Sequence, residues 1–320
     1  MLAVQIDSGK IDVVEVPKPR PKKGHALLRL RLAGICNTDV ELLRGYYGFS
    51  GIPGHEFVAD VVQSGNPQLI GKRVVGDINL ACGRCEYCRK GLGRHCPNRT
   101  VLGIVRHPGA FAEYLTLPEE NLHLLPSSIP DEHAVFTEPI AAACEILEQV
   151  RFSEAASIAV LGDGKLGLLI AQVLALHGLP VNLFGRNAGK LEIVKPLGIK
   201  THWVARENPS LPVAEYPYVV DATGSALGFA SAMRMIQPRG TLVMKSTVSE
   251  PLVFDTAPLI VNEITLVGSR CGLFGPAIKL LKTGQLILNP MIDSKAKLSE
   301  AADAFGRAQE PGVLKLLLEP

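Results

Sequence analysis

Four closely spaced cysteines carry the strongest chemical signal in this chain. They stand at Cys82, Cys85, Cys88 and Cys96, with the spacing C-x2-C-x2-C-x7-C. Four thiolates on one tight loop can hold Zn²⁺ tetrahedrally, at about 2.3 Å from each sulfur. Such a site has no open coordination position, so we predict that this zinc is structural and braces a loop. Two disulfides are one alternative. An iron–sulfur cluster is the other, because three closely spaced cysteines and one remote one can also hold a cluster.

A second set of metal-binding side chains comes from three separate segments. Cys36 lies in AGICNTD, His55 in PGHE and Glu138 in TEP. One thiolate, one imidazole and one carboxylate leave a position open on Zn²⁺, which is the arrangement of a catalytic site. Taken singly, each residue also has an ordinary structural explanation. Cys36 can be a buried apolar residue, His55 a turn histidine and Glu138 a charge at a helix N-terminus.

A glycine-rich segment, Gly162–Gly167, has the pattern G-x-G-x-x-G. It follows the predicted strand SIAVLG and opens a predicted helix, which is the context that a dinucleotide-binding loop requires. Gly162 permits the tight turn, and Gly164 lets the backbone approach a pyrophosphate. Gly167 allows close packing of helix against strand. The alternative is that these glycines serve only the packing of the chain.

The end of the next predicted strand bears on the choice between NAD(H) and NADP(H). An NAD site usually places Asp or Glu about 20 residues further on, but Gly185 stands there and Arg186 follows. Arg186 can pair with a 2′-phosphate, and Lys190 adds charge, so we predict a preference for NADP(H). The alternative is that Arg186 is a solvated charge and NAD(H) is accepted. The candidate cofactor-binding residues are Gly162, Gly164, Lys165, Leu166, Gly167, Gly185, Arg186, Asn187, Lys190 and Thr223.

The elements that must position these residues differ between the two halves of the chain. Residues 1–139 are rich in Pro and Gly, and short alternating segments such as HALLRLRLAGI are typical of strands. From residue 156 onwards, apolar strands alternate with helices, which predicts a parallel sheet with helices on both faces. The tail departs from this alternation. It contains two predicted helices, GPAIKLLKTG and LSEAADAFGRAQ, an extended ILNPMI and a strand, VLKLLLEP.

Composition limits the classes of function. A chain of 320 residues with 47% hydrophobic residues is large enough for two domains. A net charge of +2 and 5% aromatic residues give no indication of nucleic-acid binding. No apolar run reaches membrane-spanning length, and the N-terminus resembles two strands around a Ser-Gly turn rather than a signal peptide. Seven cysteines, four of them clustered, favour a reducing cytoplasm.

Taken together, the motifs resemble those of the zinc-dependent medium-chain alcohol dehydrogenase family, particularly its polyol, sugar and threonine dehydrogenase branch. The elements G-I-C-x-T-D, G-H-E, the cysteine cluster, G-A-F-A-E-Y and G-x-G-x-x-G occur in the family's order. The resemblance implies an α/β protein with a mostly-β GroES-like catalytic domain, residues 1–139 and 269–320, which includes a structural zinc lobe around residues 80–100. It also implies a doubly wound Rossmann domain, residues 140–268, and an active site in the cleft between the domains.

The resemblance assigns the catalytic zinc ligands residue by residue. Cys36 and His55 become two of them, and Glu138 falls where polyol-type members place a glutamate. Glu56, beside His55, would be an exchanging ligand or would contact the zinc ligands from outside. Two zinc ions per chain are therefore implied, one catalytic and one structural.

Supporting roles follow from the same resemblance. Thr38 would hydrogen-bond the substrate oxygen and begin a proton relay, and Asp39 would orient the zinc site. The implied reaction is hydride transfer between a nicotinamide cofactor and a secondary alcohol of a polyol, sugar or related hydroxylated metabolite. The expected partners are this small substrate and, through Rossmann edge strands around ITLVGSR, further copies in a homodimer or homotetramer.

The chain also departs from the family in ways that keep alternatives open. It is shorter than most members, and the segment between Cys36 and His55 is compact. Tyr46, Tyr47 and Phe49 in that segment either line a substrate pocket or pack beneath it. One alternative function is a zinc-free enone or quinone reductase of the same superfamily, which would not need the thiolate, imidazole and carboxylate together. The other is a non-catalytic NADP(H)-binding sensor.

Overall fold

The computed structural model describes residues 1–205, 210–246 and 251–320, which form two compact units. The first unit contains Met1–Glu138, Phe274–Gly284 and Ile292–Pro320. The second contains Pro139–Leu273 and Gln285–Met291. The tail of the chain therefore contributes to both units rather than to one.

The strands and helices of the described residues are numbered along the chain. The strands are β1 Leu2–Asp7, β2 Lys10–Glu15, β3 His25–Gly34, β4 Glu56–Gln63, β5 Arg73–Gly76, β6 Asn79–Leu80, β7 Thr100–Leu102, β8 Arg106–His107, β9 Tyr114–Pro118, β10 Leu122–Leu124, β11 Ile158–Leu161, β12 Val181–Gly185, β13 Lys200–Trp203, β14 Tyr216–Asp221, β15 Ile236–Met244, β16 Thr265–Gly268, β17 Ile292–Lys297 and β18 Lys315–Glu319. The helices are α1 Asn37–Leu43, α2 Glu86–Arg89, α3 Asp131–Ala134, α4 Thr137–Gln149, α5 Lys165–Leu176, α6 Ala188–Val194, α7 Ala226–Met235, α8 Ala257–Val261, α9 Phe274–Lys282 and α10 Ala301–Arg307. Within the described ranges, none of these helices has the length and apolar character needed to cross a bilayer.

The first unit is built on a mostly antiparallel sheet with the strand order β10-β5-β4-β3-β18-β17, and β9 also pairs with β3. The register pairs Gly34 at the end of β3 with Glu56 at the start of β4, and also with Leu317 of β18. The end of β3 and the start of β4 therefore meet beside the middle of β18. This point positions the metal-binding side chains, because Cys36 follows β3 and His55 precedes β4.

Alternation along β3 shows how this sheet separates core from solvent. Leu28, Leu30 and Leu32 are buried, whereas Arg29 and Arg31 between them are exposed. Successive side chains of a strand point to opposite faces, so one face packs into the core and the other meets water.

The second unit is a parallel sheet with the order β13-β12-β11-β14-β15-β16. Numbered within the unit, this order is 3-2-1-4-5-6, the doubly wound order of a Rossmann fold. All four residues of β11 are buried, and the buried residues of α5 are apolar except for Gln172. The predicted α/β architecture is confirmed.

Two details of the fold differ from the sequence prediction. β13, with the sequence KTHW, was not predicted, because it is an edge strand with little burial and no apolar alternation. ILNPMI was predicted to be extended, but Asn289–Met291 form a 3₁₀ turn and strand β17 begins only at Ile292. Pro290 lacks a backbone N–H and cannot donate to a sheet ladder, so the strand starts beyond it.

Candidate metal and cofactor sites

Cys36, His55 and Glu56 form a group of potential metal ligands in the first unit. Their ligand atoms all lie within 4.8 Å of one another. His55 and Glu56 are 3% and 1% exposed, and Cys36 is half-buried. Such a group combines a soft thiolate with imidazole and carboxylate, and all three are zinc ligands in proteins. The donor set therefore fits a zinc ion.

Asp39 connects the two loops that carry these ligands. It lies in the first turn of α1 and is fully buried. Its Oδ2 accepts a hydrogen bond from the backbone N–H of Cys36 at 2.8 Å, and its Oδ1 accepts one from the N–H of Gly54 at 3.2 Å. The same Oδ1 lies 3.2 Å from Nδ1 of His55. One carboxylate thus holds the cysteine loop and the histidine loop together.

His55 is buried against negative groups in a way that favours a cation. Within the described residues its Nδ1 makes no hydrogen bond, because the contact with Asp39 has ion-pair distance but not hydrogen-bond geometry. Burial lowers the pKa of His55, but the Asp39 carboxylate and the Cys36 sulfur outweigh burial and raise this pKa well above 6.5. An environment that stabilises positive charge on the ring also suits a metal ion beside it.

Gly54 fixes the backbone before His55. Its φ of 100° lies in the left-handed region that side chains disfavour. A Cβ at this position would also lie 2.5 Å from the ring of Phe111. Glycine is therefore required here on both conformational and steric grounds, and the turn it makes directs His55 and Glu56 toward Cys36.

Lys315 is a residue of this site that the sequence prediction missed. Its Nζ donates to Oε2 of Glu56, and both side chains are 1% exposed. Burial lowers the pKa of Lys315, but Glu56 and Cys36 raise it more, so the ammonium group remains charged. The sequence did contain a signal, which is the single lysine within the apolar segment VLKLLLEP. A lysine in a buried strand needs a partner, because charged residues are rarely fully buried unless they are paired.

Thr38 and Glu138 occupy different places relative to this group. The sulfur of Cys36 lies 3.7 Å from Oγ1 of Thr38, so the hydroxyl adjoins the ligand group. Glu138 is the second residue of α4 and is half-buried, but it is not a member of the group of ligand atoms within 4.8 Å. The structure groups Glu56 with Cys36 and His55, and zinc ligation by Glu138 stays a prediction.

The aromatic residues between the two loops are not part of the core. Tyr47 is 68% exposed, and Tyr46 and Phe49 are half-buried. The rings of Tyr46 and Tyr47 contact each other with centroids 4.2 Å apart. This exposure agrees poorly with packing beneath a pocket.

The four-cysteine loop forms a second group of ligand atoms. Sulfur–sulfur distances are 3.4 Å for Cys85–Cys88, 3.7 Å for Cys85–Cys96 and 3.9 Å for Cys82–Cys88. Tetrahedral zinc with bonds of about 2.3 Å would place its sulfurs ~3.8 Å apart. All seven cysteines of the chain, which lie in its described part, are free thiols, so these four are not joined as disulfides. The geometry fits a zinc ion.

The charges of these sulfurs also favour a cation. Backbone N–H groups of Arg84 and Cys85 face the sulfur of Cys82 and lower its pKa to about 6. Burial and the neighbouring sulfurs raise the pKa of Cys88 to about 11. Four thiolates cannot accumulate here without a counter-ion, and metal binding supplies one.

The glycine loop has the close packing that its sequence predicts. Gly162 has a φ of 110°, and a Cβ on Gly167 would lie only 2.0 Å from the carbonyl oxygen of Gly162. Lys165 and Leu166 follow in the first turn of α5. The loop is thus drawn tightly around the start of the helix, as in dinucleotide-binding turns.

The remaining candidate residues follow the carboxyl ends of β12 and β14, the two strands on either side of β11. At the end of β12, Oδ1 of Asn187 accepts the N–H of Lys190 at 3.2 Å. At the end of β14, Asp221 accepts hydrogen bonds from the N–H and hydroxyl of Thr223 at 2.9 and 2.7 Å. Burial raises the pKa of Asp221 against the effect of these bonds. Asp221 was not predicted, and it fixes the loop that carries Thr223.

Comparison with known proteins supports both halves of this description. Residues 22–127 match the family model of the alcohol dehydrogenase GroES-like domain, and residues 166–283 match the zinc-binding dehydrogenase model. The first match contains both groups of metal-ligand atoms. The second begins within the glycine loop.

Individual relatives extend over most of the chain. D-altritol 5-dehydrogenase of Agrobacterium fabrum is 29% identical and covers 99% of this chain and 98% of its own. L-threonine 3-dehydrogenase of a Chelativorans species is 30% identical over 79% of this chain and 78% of its own. A zinc-binding dehydrogenase from Sinorhizobium meliloti, solved with NADP, is 28% identical with a TM-score of 0.89, over 100% of this chain and 99% of its own. The chain belongs to the zinc-dependent medium-chain alcohol dehydrogenase family and is an oxidoreductase that uses zinc and a nicotinamide dinucleotide.

Proposed function

We propose that this chain catalyses hydride transfer between a nicotinamide cofactor and a secondary alcohol of a polyol, a sugar or a related hydroxylated metabolite. The observation that carries the proposal is the group formed by Cys36, His55 and Glu56, with ligand atoms within 4.8 Å of one another. Thr38 supplies a hydroxyl beside this group. A zinc-free reductase would have no need of these side chains at one point.

The residues of the site have distinct tasks in this proposal. Cys36 and His55 hold the zinc, together with one carboxylate from Glu56 or Glu138. When bound, zinc supplies Lewis acidity that lowers the pKa of an alcohol hydroxyl, and the nicotinamide accepts the hydride. Oγ1 of Thr38 takes the hydroxyl proton of the substrate and releases its own proton toward solvent, which begins the relay.

Two charged residues keep the ligands in place during this chemistry. Asp39 is anchored by the backbone of Cys36 and Gly54, so its remaining interaction restrains the imidazole of His55. Lys315 neutralises Glu56 and restrains its carboxylate. A ligand restrained in this way can release and regain a metal without losing its position, which is what an exchanging ligand needs.

Cys36→Ser tests the catalytic zinc. We expect turnover to be abolished and the metal content to fall from two zinc ions per chain to one, while NADPH binding persists. Cys144→Ser is the matched control, because Cys144 is buried in the second unit and belongs to neither group of metal ligands. Near-normal activity of Cys36→Ser would contradict the proposal. One zinc ion in the wild type would favour the reductase, and two zinc ions with no turnover would favour the sensor.

The substrate class rests on the curated relatives. One of them acts on D-altritol and another on L-threonine, as their names state. Both are small hydroxylated molecules whose secondary hydroxyl is oxidised. Screening pentitols, hexitols, sugar acids and hydroxy amino acids for NADPH and NADH formation tests this class, and activity only on enones would contradict it.

Cofactor preference and assembly complete the proposal. Arg186 and Lys190 support NADP(H) as the preferred cofactor, and the Sinorhizobium meliloti relative was solved with NADP.

β16 is an edge strand of the parallel sheet and is largely exposed, which supports pairing with a second copy in a homodimer or homotetramer. Light scattering of the purified protein measures the oligomeric state directly, and a monomer would contradict the assembly.

A further inference from the structure

The end of β12 has a carboxylate that does not come from β12. Oδ2 of Asp163, in the glycine loop, accepts hydrogen bonds from the backbone N–H groups of Arg186 at 2.8 Å and Asn187 at 2.6 Å. These two residues directly follow Gly185, the last residue of the strand. The strand end itself contains no acid, because Gly185 is followed by Arg186 and Asn187.

The side chain of Asp163 leaves no room for a side chain at position 185. A Cβ on Gly185 would lie 2.6 Å from Cβ of Asp163 and 2.8 Å from its Oδ2. Gly185 has no positive φ, so its backbone conformation does not require glycine. Residue 185 is therefore glycine for a steric reason, since Asp163 occupies the space that a side chain there would need.

The parallel pairing of strands explains how a loop residue reaches this place. β11 and β12 pair in parallel, with Leu161 opposite Phe184. Their carboxyl ends lie at the same edge of the sheet, and Asp163 follows β11 by two residues. In Rossmann folds, an acid at the end of the second strand hydrogen-bonds the ribose 2′-hydroxyl of NAD. The carboxylate of Asp163 stands at the end of that same strand.

We propose that Asp163 is a cofactor-specificity residue that replaces the missing strand-end acid. Its carboxylate accepts a hydrogen bond from the ribose 2′-hydroxyl of NAD(H) and repels the 2′-phosphate of NADP(H). Arg186 has the opposite effect, because its positive charge attracts the 2′-phosphate of NADP(H). The ratio of the affinities for NAD(H) and NADP(H) therefore reflects a balance between Asp163 and Arg186. This inference rests on the proposed function only in that the chain binds a nicotinamide dinucleotide.

The alternative role for Asp163 is purely structural. By accepting two backbone N–H groups, it could simply tie the glycine loop to the end of β12. Loss of such a tie would weaken NADH and NADPH binding by the same factor. The ratio of the two dissociation constants therefore separates specificity from structural support.

Asp163→Asn provides the first measurement. Asparagine keeps the size of the side chain and one acceptor for the backbone N–H groups, but removes the charge. NADH and NADPH are titrated separately into the zinc-replete protein without substrate, and bound cofactor is followed by its fluorescence. We expect the ratio Kd(NADH)/Kd(NADPH) to rise about tenfold or more, since hydrogen bonds to charged groups are among the strong ones. An unchanged ratio overturns the proposal.

Variants that transfer the acidic residue from position 163 to position 185 provide the second measurement. Gly185→Asp alone should weaken both cofactors, because its side chain collides with Asp163. Asp163→Gly alone should lose discrimination against NADPH. The double variant Asp163→Gly/Gly185→Asp removes the collision and restores an acid, so it should regain NADH affinity and discriminate against NADPH. If the double variant discriminates no better than Asp163→Gly, the proposal is overturned.

Two controls complete the experiment. Arg186→Leu should weaken NADPH selectively, which shows that the titration detects recognition of the 2′-phosphate. Thermal unfolding of each variant identifies any that fails to fold, and Asp163→Asn remains informative even if the glycine variants are unstable. If the wild type binds both cofactors but oxidises no alcohol, the proposed function fails while this inference stands. If the wild type oxidises an alcohol but the affinity ratio is unchanged in Asp163→Asn, the proposed function stands and this inference fails.

Discussion

Replacing Lys315 with methionine would remove the positive partner of Glu56 and keep an unbranched side chain of similar length. Both residues of the pair are 1% exposed. The variant would leave a buried carboxylate with its ligand atom within 4.8 Å of the Cys36 sulfur. Water cannot replace the lost ammonium at such depth, so we expect a large loss of stability.

The size of the loss follows from burial. Breaking a buried ion pair by removing one partner costs about 3–5 kcal/mol, because the remaining charge is uncompensated. An exposed pair contributes about 0–1 kcal/mol. Lys295 and Glu132 form an exposed pair in the same unit, with side chains 41% and 36% exposed. Lys295→Met is therefore a matched control, with the same substitution in the neighbouring strand.

Urea denaturation of the zinc-replete protein measures the free energy of unfolding of each variant. We expect Lys315→Met to lose about 3–5 kcal/mol and Lys295→Met to lose less than about 1 kcal/mol. The double variant Lys315→Met/Glu56→Gln should be more stable than Lys315→Met alone, because no unpaired charge remains buried. Removal of zinc should increase the loss for Lys315→Met relative to the wild type, since a metal ion beside Glu56 supplies positive charge.

Two results would refute this reasoning. The first is a loss for Lys315→Met no larger than that for Lys295→Met, which would mean that burial does not strengthen the pair. The second is a double variant less stable than Lys315→Met, which would show that Glu56 stabilises the site without its lysine.

Two further predictions concern the metal sites. Cys96→Ser should reduce the metal content from about two zinc ions per chain to about one and lower the thermal midpoint, since a structural zinc contributes folding energy; two retained zinc ions would contradict the four-thiolate site. At the other site, burial lowers the pKa of His55, but Asp39 and Cys36 raise it well above 6.5. A metal binds the neutral imidazole, so in protein that retains only its structural zinc the affinity for cobalt(II) should keep rising as pH increases through 7. Absorption titrations measure this affinity, and a plateau already below pH 6.5 would contradict the prediction.

How much of the fold was predictable depends on where each strand lies. β11 and β12 are buried and therefore consist of continuous apolar runs, SIAVLG and VNLFG, which the sequence shows directly. β13 is an edge strand with the sequence KTHW, and its pattern carries no comparable signal. The structure thus adds least for strands with an apolar run and most for strands such as β13, which lack one.

The same distinction between local and non-local signals applies to the sites. The four-cysteine group lies within one loop, so spacing alone predicts it. The carboxylate beside Cys36 and His55 depends instead on the register that pairs Gly34 with Glu56. Lys315, which neutralises that carboxylate, is 259 residues away in sequence. No spacing rule relates residues at that distance.

Asp163 shows why a motif considered along one strand leaves the choice of cofactor open. The usual rule places the ribose-binding acid at the end of the second Rossmann strand, and by this rule Gly185 indicates NADP(H). What the ribose meets, however, is a carboxylate at a position in space, and two parallel strands ending at one edge can supply it equally well. A glycine at the strand end then has two meanings, either no acid or an acid supplied by the neighbouring loop. The contact between Asp163 and the N–H groups of Arg186 and Asn187 supports the second meaning, which the cofactor titrations test.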